Sequence, residues 1–221
     1  MTWAMMIFPS TIRTPLSLES PLLLATIFHM TGTIAAIGGN GFGVKGGVIR
    51  NGNLKLHISK VRNASGSTNW SQVIAGFESC VQNDANVVNI GVTGWNCVQI
   101  FADAIADAYA AGVVTFAPSG NSGSTSYKYP YPFVLSVGSI TEAYERSSSF
   151  PQYNNKVDLC APGSFVLSTI PFNTYSTYSD NGTGSAHAAG VAALVWSNFP
   201  EISHEALINV LEVTVTDLAS P

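Results

Sequence analysis

Hydrophobic positions change their period several times along this chain, and the changes divide it into alternating helices and strands. Residues 1–25 show no period, and prolines at 9, 15 and 21 cut them into short apolar pieces, which predicts an arm. From Thr26 to Ile37, small and apolar residues predict a packed helix stopped by Gly38-Gly-Asn-Gly41. Leu54–Val61 alternates Leu, Leu and Ile with Lys, His and Ser, as a strand does. Ser71–Val81 carries apolar residues at 73, 74, 77, 80 and 81, a helical spacing, and Val87-Val-Asn-Ile90 then reads as a strand. The unit repeats: Ile100–Ala110 is an alanine-rich helix, Gly112 ends it, and Val113–Ala117 is a strand. A further strand is expected at Phe133–Val137, a hairpin-like region on to Thr169, and two closing helices. The first covers about 184–198, and the second runs from a Ser203 cap to Glu212. Strand–helix–strand alternation with short connections requires crossovers. The expected fold is therefore α/β, with a mostly parallel sheet flanked by helices on both faces.

With 221 residues, 46% hydrophobic, the chain is long enough for one domain with a sizeable core. Only 10% of residues are charged, well under the roughly 25% of typical soluble domains, which points to large buried surfaces. Net charge is −4 and no Lys/Arg run occurs, so the chain lacks the electrostatic footprint of a nucleic-acid binder. Its apolar stretches fall short of the ~18 residues of a membrane span. Residues 1–28, whose only charges are Arg13 and Glu19, lack the basic start and long apolar core of a secretory signal. Cys80, Cys97 and Cys160 are too few and scattered for a disulfide framework or a zinc site; one disulfide pair or buried thiols are both open.

Several short motifs lack their context. Gly41-Phe-Gly-Val-Lys-Gly46 fits a dinucleotide fingerprint literally, but it follows a helix where a strand is required, so it reads as a turn. His204-Glu205 begins a zinc-protease string, yet Ile208 stands where the second His belongs. No Gly-x-Ser-x-Gly elbow occurs. Asn63, Asn69 and Asn181 each open a glycosylation sequon. No cofactor and no metal are expected.

Tyr178-Ser-Asp-Asn-Gly-Thr-Gly-Ser-Ala-His-Ala-Ala-Gly190, followed by small apolar residues to Trp196, carries more. It resembles the nucleophile helix of the subtilisin-like serine proteases, Tyr-Ser-Gly-Thr-Ser-Met-Ala-x-Pro-His-Val-Ala-Gly. Four other blocks resemble that family in the same order. His29-Met-Thr-Gly-Thr-Ile-Ala-Ala36 is similar to the end of its His-Gly-Thr-His helix. Val87–Ile90 is similar to the strand leading to its substrate edge. Ala117-Pro-Ser-Gly-Asn-Ser-Gly123 is similar to its oxyanion loop, and Ala161-Pro-Gly163 with Leu167-Ser-Thr169 to its Ala-Pro-Gly…Ser-Thr segment. The resemblance implies an arm over 1–25, a partial peptidase domain over 26–221 and a polypeptide substrate or peptide ligand. It also implies secretion by family analogy.

A serine peptidase needs a serine oxygen to attack the carbonyl, an imidazole to take its proton and a carboxylate to orient that imidazole. Aligned without a gap, the nucleophile column falls on Gly182 and the catalytic His column on Thr26, with His29 matching a second, non-catalytic His. No Asp precedes Asp84, and Glu19 is the only acid near the place of the triad carboxylate, so the strand that carries it is expected to be missing and the sheet incomplete. Gly91 stands in the substrate-edge serine column. Asn121 matches the oxyanion donor. The implied protein is a degenerate or N-terminally truncated relative, with residues 1–28 standing where catalytic sequence belongs. Its expected activity is weak or absent, leaving a peptide-binding pseudoprotease. The alternative is an active hydrolase using Ser185, shifted by a two-residue gap, with His29. Otherwise Ser185 is a helix cap or first-turn residue and His187 a buried structural imidazole.

Overall fold

The computed structural model describes residues 4–7, 21–47, 55–59, 61–62, 67–92, 97–125, 131–147, 151 and 154–218. In chain order the elements are β1 (Ala4–Ile7), α1 (Pro21–Ala35), β2 (Leu56–Ser59), α2 (Trp70–Gln82), β3 (Val87–Ile90), α3 (Gln99–Ala110) and β4 (Val114–Pro118). There follow β5 (Val134–Ile140), β6 (Leu159–Pro162), β7 (Val166–Ile170), β8 (Thr174–Tyr178), α4 (Asn181–Asn198) and α5 (His204–Thr214). Six strands form a parallel sheet in the order β2-β1-β3-β4-β5-β6, and β7 and β8 form a separate antiparallel pair.

β-Strand parity distributes the core. Successive strand residues face opposite sides of a sheet, so Val87 joins one apolar layer and Val88 the other, as do Val114 and Val113. One layer packs Ile27, Met30 and Ile34 of α1 and the alanines of α4 on Phe116 and Val137. The other packs Phe77 of α2 and Phe101 and Ile105 of α3 on Val88 and Ile90. Phe101 is fully buried there, edge-on to both Phe77 and Tyr131.

Several expectations change. Ala4–Ile7, inside the predicted arm, forms β1 and lies between β2 and β3, so the position expected to be empty is filled. Four residues have no period to display, but parallel neighbours on both sides supply hydrogen bonds that such a segment cannot gain alone. α1 begins at Pro21, five residues before the predicted Thr26; proline suits a first-turn position, where the missing N–H has no helical partner to lose. The hairpin is β7–β8, turning through Phe172 and Asn173 at φ 64° and 58°, the conformation that matches strand twist. α4 begins at Asn181, three residues earlier than predicted, because Asp180 caps it.

All three cysteines are free thiols. Burial pushes the Cys80 thiol up to about 12, so it stays protonated.

Phe101→Ala removes the ring on which Phe77 and Tyr131 close. We expect a loss of about 3–5 kcal/mol in urea unfolding; a loss under about 1 kcal/mol would mean that the α2–α3 layer does not depend on this ring.

Candidate active site

The site is built where α4 starts, above the C-terminal end of the sheet. Asp180 organises it. Its Oδ1 accepts from the Thr183 N–H at 2.6 Å, capping the helix, and its own N–H donates to Gly163 O at 2.9 Å. Ser139 Oγ on β5 donates to Asp180 O at 2.8 Å. A Cβ at Gly163 would lie 2.0 Å from Ser139 Oγ and 2.7 Å from Asp180 O, so the Ala-Pro-Gly segment requires glycine for this close approach.

The loop after β4 is laced to the same helix start. Asn121 Oδ1 accepts from the Asn181 N–H at 3.0 Å, and Asn181 Nδ2 donates to Ser119 Oγ at 2.8 Å and to Gly120 O. Because its oxygen takes a backbone N–H, the amino group of the exposed Asn121 is the half left over for a ligand. Next in the helix comes Gly182, whose N–H is one of the first-turn amides that no helical carbonyl reaches. Asn121 Nδ2 and Gly182 N are thus two donors beside one helix end. Asn181 is fully buried and its amide is engaged, which withdraws that sequon from modification in the folded chain.

Gly182, which the sequence resemblance aligns with the family's nucleophile, carries no oxygen. A Cβ built at Gly182 would lie 2.0 Å from Met30 Cε and 3.4 Å from Met30 Sδ, so the end of the Met30 side chain fills the place of a serine side chain. Thr26 lies one turn before Met30, and residues four apart share a helix face, so the His column is on the face of α1 that meets α4. It carries a half-buried threonine.

The alternative pair is dispersed. Ser185 is fully buried and its Oγ donates to Asn89 Oδ1 of β3 at 2.5 Å. It is the fifth residue of α4, past the first turn, so the expected capping role belongs to Asp180 instead. By parity with Val87, Asn89 faces the α4 layer, where Ser185 satisfies its Oδ1 while its buried Nδ2 has no partner. His29 sits on another face of α1. Its Nε2 donates to Val166 O of β7 at 2.9 Å, and its ring stacks on Tyr178 of β8 at 4.5 Å between centroids. A carbonyl only accepts, so Nε2 carries the proton and Nδ1 is left buried without a partner. The His29 carbonyl also accepts from Ser168 Oγ at 2.8 Å. These bonds strap the β7–β8 hairpin to α1 and give His29 a structural task. His187 is half-buried and its Nδ1 lies 3.2 Å from Thr183 O. Gly91 follows β3 and is half-buried; residues 93–96 beyond it, like Asn63, lie outside the described residues. The Gly41–Gly46 segment is a turn: Gly46 packs so closely that a Cβ would lie 2.5 Å from Ala36 N at the end of α1. Among the described residues no three of His, Cys, Asp and Glu are placed to hold a metal ion.

The profile of the Subtilase family (Peptidase S8) matches residues 28–221. The chain belongs to the subtilases. It is 35% identical to Subtilisin DY of Bacillus licheniformis over 196 residues, covering 86% of this chain and 70% of that protein. An alkaline protease of Alkalihalobacillus alcalophilus is 36% identical over 194 residues, covering 87% of this chain and 50% of that protein. The fold of this subtilase superimposes on the psychrophilic subtilisin-like protease Apa1 of Pseudoalteromonas sp. AS-11 with a TM-score of 0.86 at 19% identity, over 99% of this chain and 88% of the other. A cold-adapted subtilisin-like serine proteinase gives 0.79 at 26% identity, over 98% and 83%. The sequence had pointed to Asn121 and Gly182. It had not pointed to Met30, Ser139 or Asn89, whose parts in the site come from distant packing, whereas the Asp180 cap was written locally three residues before Thr183.

Burial holds both His29 and His187 below the ordinary imidazole range. The unfolded chain takes up these protons near pH ~6.5 while the folded chain resists them, so stability is complete above that value and falls as pH drops below it. Urea midpoints from about pH 8 to 5 should decline below ~6.5, and His29→Gln should make the decline shallower. A midpoint that rose on acidification would show the imidazoles to be stabilised as cations.

Proposed function

We propose that this subtilase binds extended polypeptides and hydrolyses peptide bonds weakly or not at all. The observation that carries this reading is Gly182: the nucleophile column heads α4 without an oxygen, and Met30 fills the space. Three others support it. The His column is Thr26. The strand preceding that helix, β1, reads Ala-Met-Met-Ile and bears no acid. Ser185 and His29 are each committed to other partners. Asn121 Oδ1 is taken by the Asn181 N–H, which leaves its Nδ2 and the first-turn Gly182 N–H as the donors this reading assigns to a peptide carbonyl that nothing attacks. Asp180 adds a further obstacle. Its carboxylate caps the helix at the very end whose partial positive charge favours a developing oxyanion.

The test is labelling of the folded chain with a fluorophosphonate serine probe, with the adduct located by peptide mass mapping. No adduct is expected. Labelling at Ser185, abolished in Ser185→Ala, would overturn the reading and establish a shifted nucleophile.

The column assignment has its own test. Thr26→His combined with Gly182→Ser and Met30→Ala, which clears the space, should acquire slow labelling at position 182. Adding Asp180→Asn keeps the cap and removes the charge, and labelling should then quicken several-fold. A folded variant that stayed unlabelled would dissolve the assignment of positions 26 and 182 as facing columns.

A further inference from the structure

Charge along this chain is segregated. Five of the nine Lys and Arg residues lie between Lys45 and Arg62, and no Asp or Glu occurs between Glu19 and Glu78. Along the sequence this cationic stretch contains β2, which the strand order places at one edge of the six-stranded sheet. Among the described residues β2 pairs only with β1, in parallel from Leu56 to Ser59. In a strand, alternate residues direct both N–H and C=O to the same side. Two of the four residues of β2 therefore offer both groups to the open side, a template for another strand.

Two features sit beside that edge. Lys55, immediately before β2, and Leu56 are exposed, giving a charge and an apolar contact along the same border. Between β2 and α2 opens a cleft of about 370 Å³ lined by His57, Ser59, Gln72 and Ser79, with no acid in its wall. His57 Nε2 lies 3.3 Å from both Ser59 Oγ and Ser79 Oγ, so imidazole, hydroxyl and amide groups converge on one opening. Such groups donate to a carboxylate as readily as to an amide.

From these observations we infer that the β2 edge is a docking site for an extended acidic polypeptide segment, which adds to the sheet as a seventh strand and sets a Glu or Asp side chain in the His57 cleft. The backbone supplies the pairing and the cleft supplies selectivity, the division of labour of strand addition. Charge argues against a second copy of this chain. Pairing two β2 edges gathers two copies of the same lysine-bearing, acid-free stretch along one seam, and like charges placed together are destabilising. The site is separate from the ends of β3 and β4 that carry Gly91 and Asn121, so it does not depend on the reading of the vacated peptidase centre.

A fluorescein-labelled peptide alternating Glu with Val, titrated with the full chain and followed by anisotropy, is the probe. We expect saturable binding that weakens with added salt and is absent for the same peptide with Lys in place of Glu. N-methylation of alternate backbone nitrogens keeps the charge and removes the pairing, and should weaken binding by about tenfold or more. Lys55→Glu, at an exposed position, should weaken it about three- to tenfold, with its melting curve unchanged. Equal binding of the N-methylated peptide, or binding of duplex RNA as tight as that of the peptide, would reduce the edge to a non-specific cationic surface and overturn the proposal. So would an absence of saturable binding, or sedimentation showing that the chain pairs with itself through Lys55-sensitive contacts. The N-methylated arm uses the unaltered chain, so it decides the matter even if the substitution disturbs folding.

Discussion

Everything at the candidate site depends on how closely α4 lies against the sheet. A Cβ on Gly184 would come within 3.0 Å of Gly138 O and 3.2 Å of Ala161 O, so side chains are all but excluded from this seam. The approach is possible because the buried face of α4 is Gly182, Gly184, Ser185, Ala186, Ala189 and Ala193, residues with little or nothing beyond Cβ. Close approach sets the height of the helix start, and Asp180 then fixes its position through Gly163 and Ser139. Asn121 and Asn181 join the β4 loop to the same point.

That constraint holds the scaffold whatever residue stands at position 182. A nucleophile and its base are held in place by surrounding structure and contribute little to it; sites of this kind more often cost stability than supply it. With glycine at position 182 the cap, the lacing and the small-residue face are all in place, and the end of Met30 fills the space where a Cβ would stand. The residues whose loss would be felt are others. Ser185 satisfies the buried Oδ1 of Asn89, and His29 straps the hairpin to α1, where its carbonyl, its ring nitrogen and its stacking on Tyr178 all contribute. Ser185 and His29 both contribute to holding the fold together.

The sequence showed the elements that repeat a period for long enough. α2 and α3 expose one face and bury another over three turns, and β3 and β4 are apolar runs bounded by turns, so each was readable. β1 was not, because Ala4–Ile7 is four residues long and owes its conformation to β2 and β3, which come from 50 and more residues further on. The start of α4 was placed late for a different reason: glycines at 182 and 184 argue against helix locally, and the sheet contact that demands them is invisible in one dimension. Family resemblance located the columns at 26, 121 and 182. Met30 at 182 was beyond its reach, since that contact joins two helices distant in sequence.

The same physics separates binding from turnover. Oxyanion donors act on whatever oxygen is presented to them, but they accelerate a reaction only by favouring the transition state over the bound ground state. On the proposed reading no attacking oxygen is present, and donors at this place would hold a peptide carbonyl as an ordinary hydrogen-bonding pair. Asp180 pushes in that direction. A carboxylate at the head of α4 is compatible with a neutral carbonyl beside Gly182, whereas it opposes the full negative charge of a tetrahedral intermediate at the same spot. A negative charge at position 180 thus disfavours an oxyanion beside the head of α4, independently of whether a serine stands two residues further on.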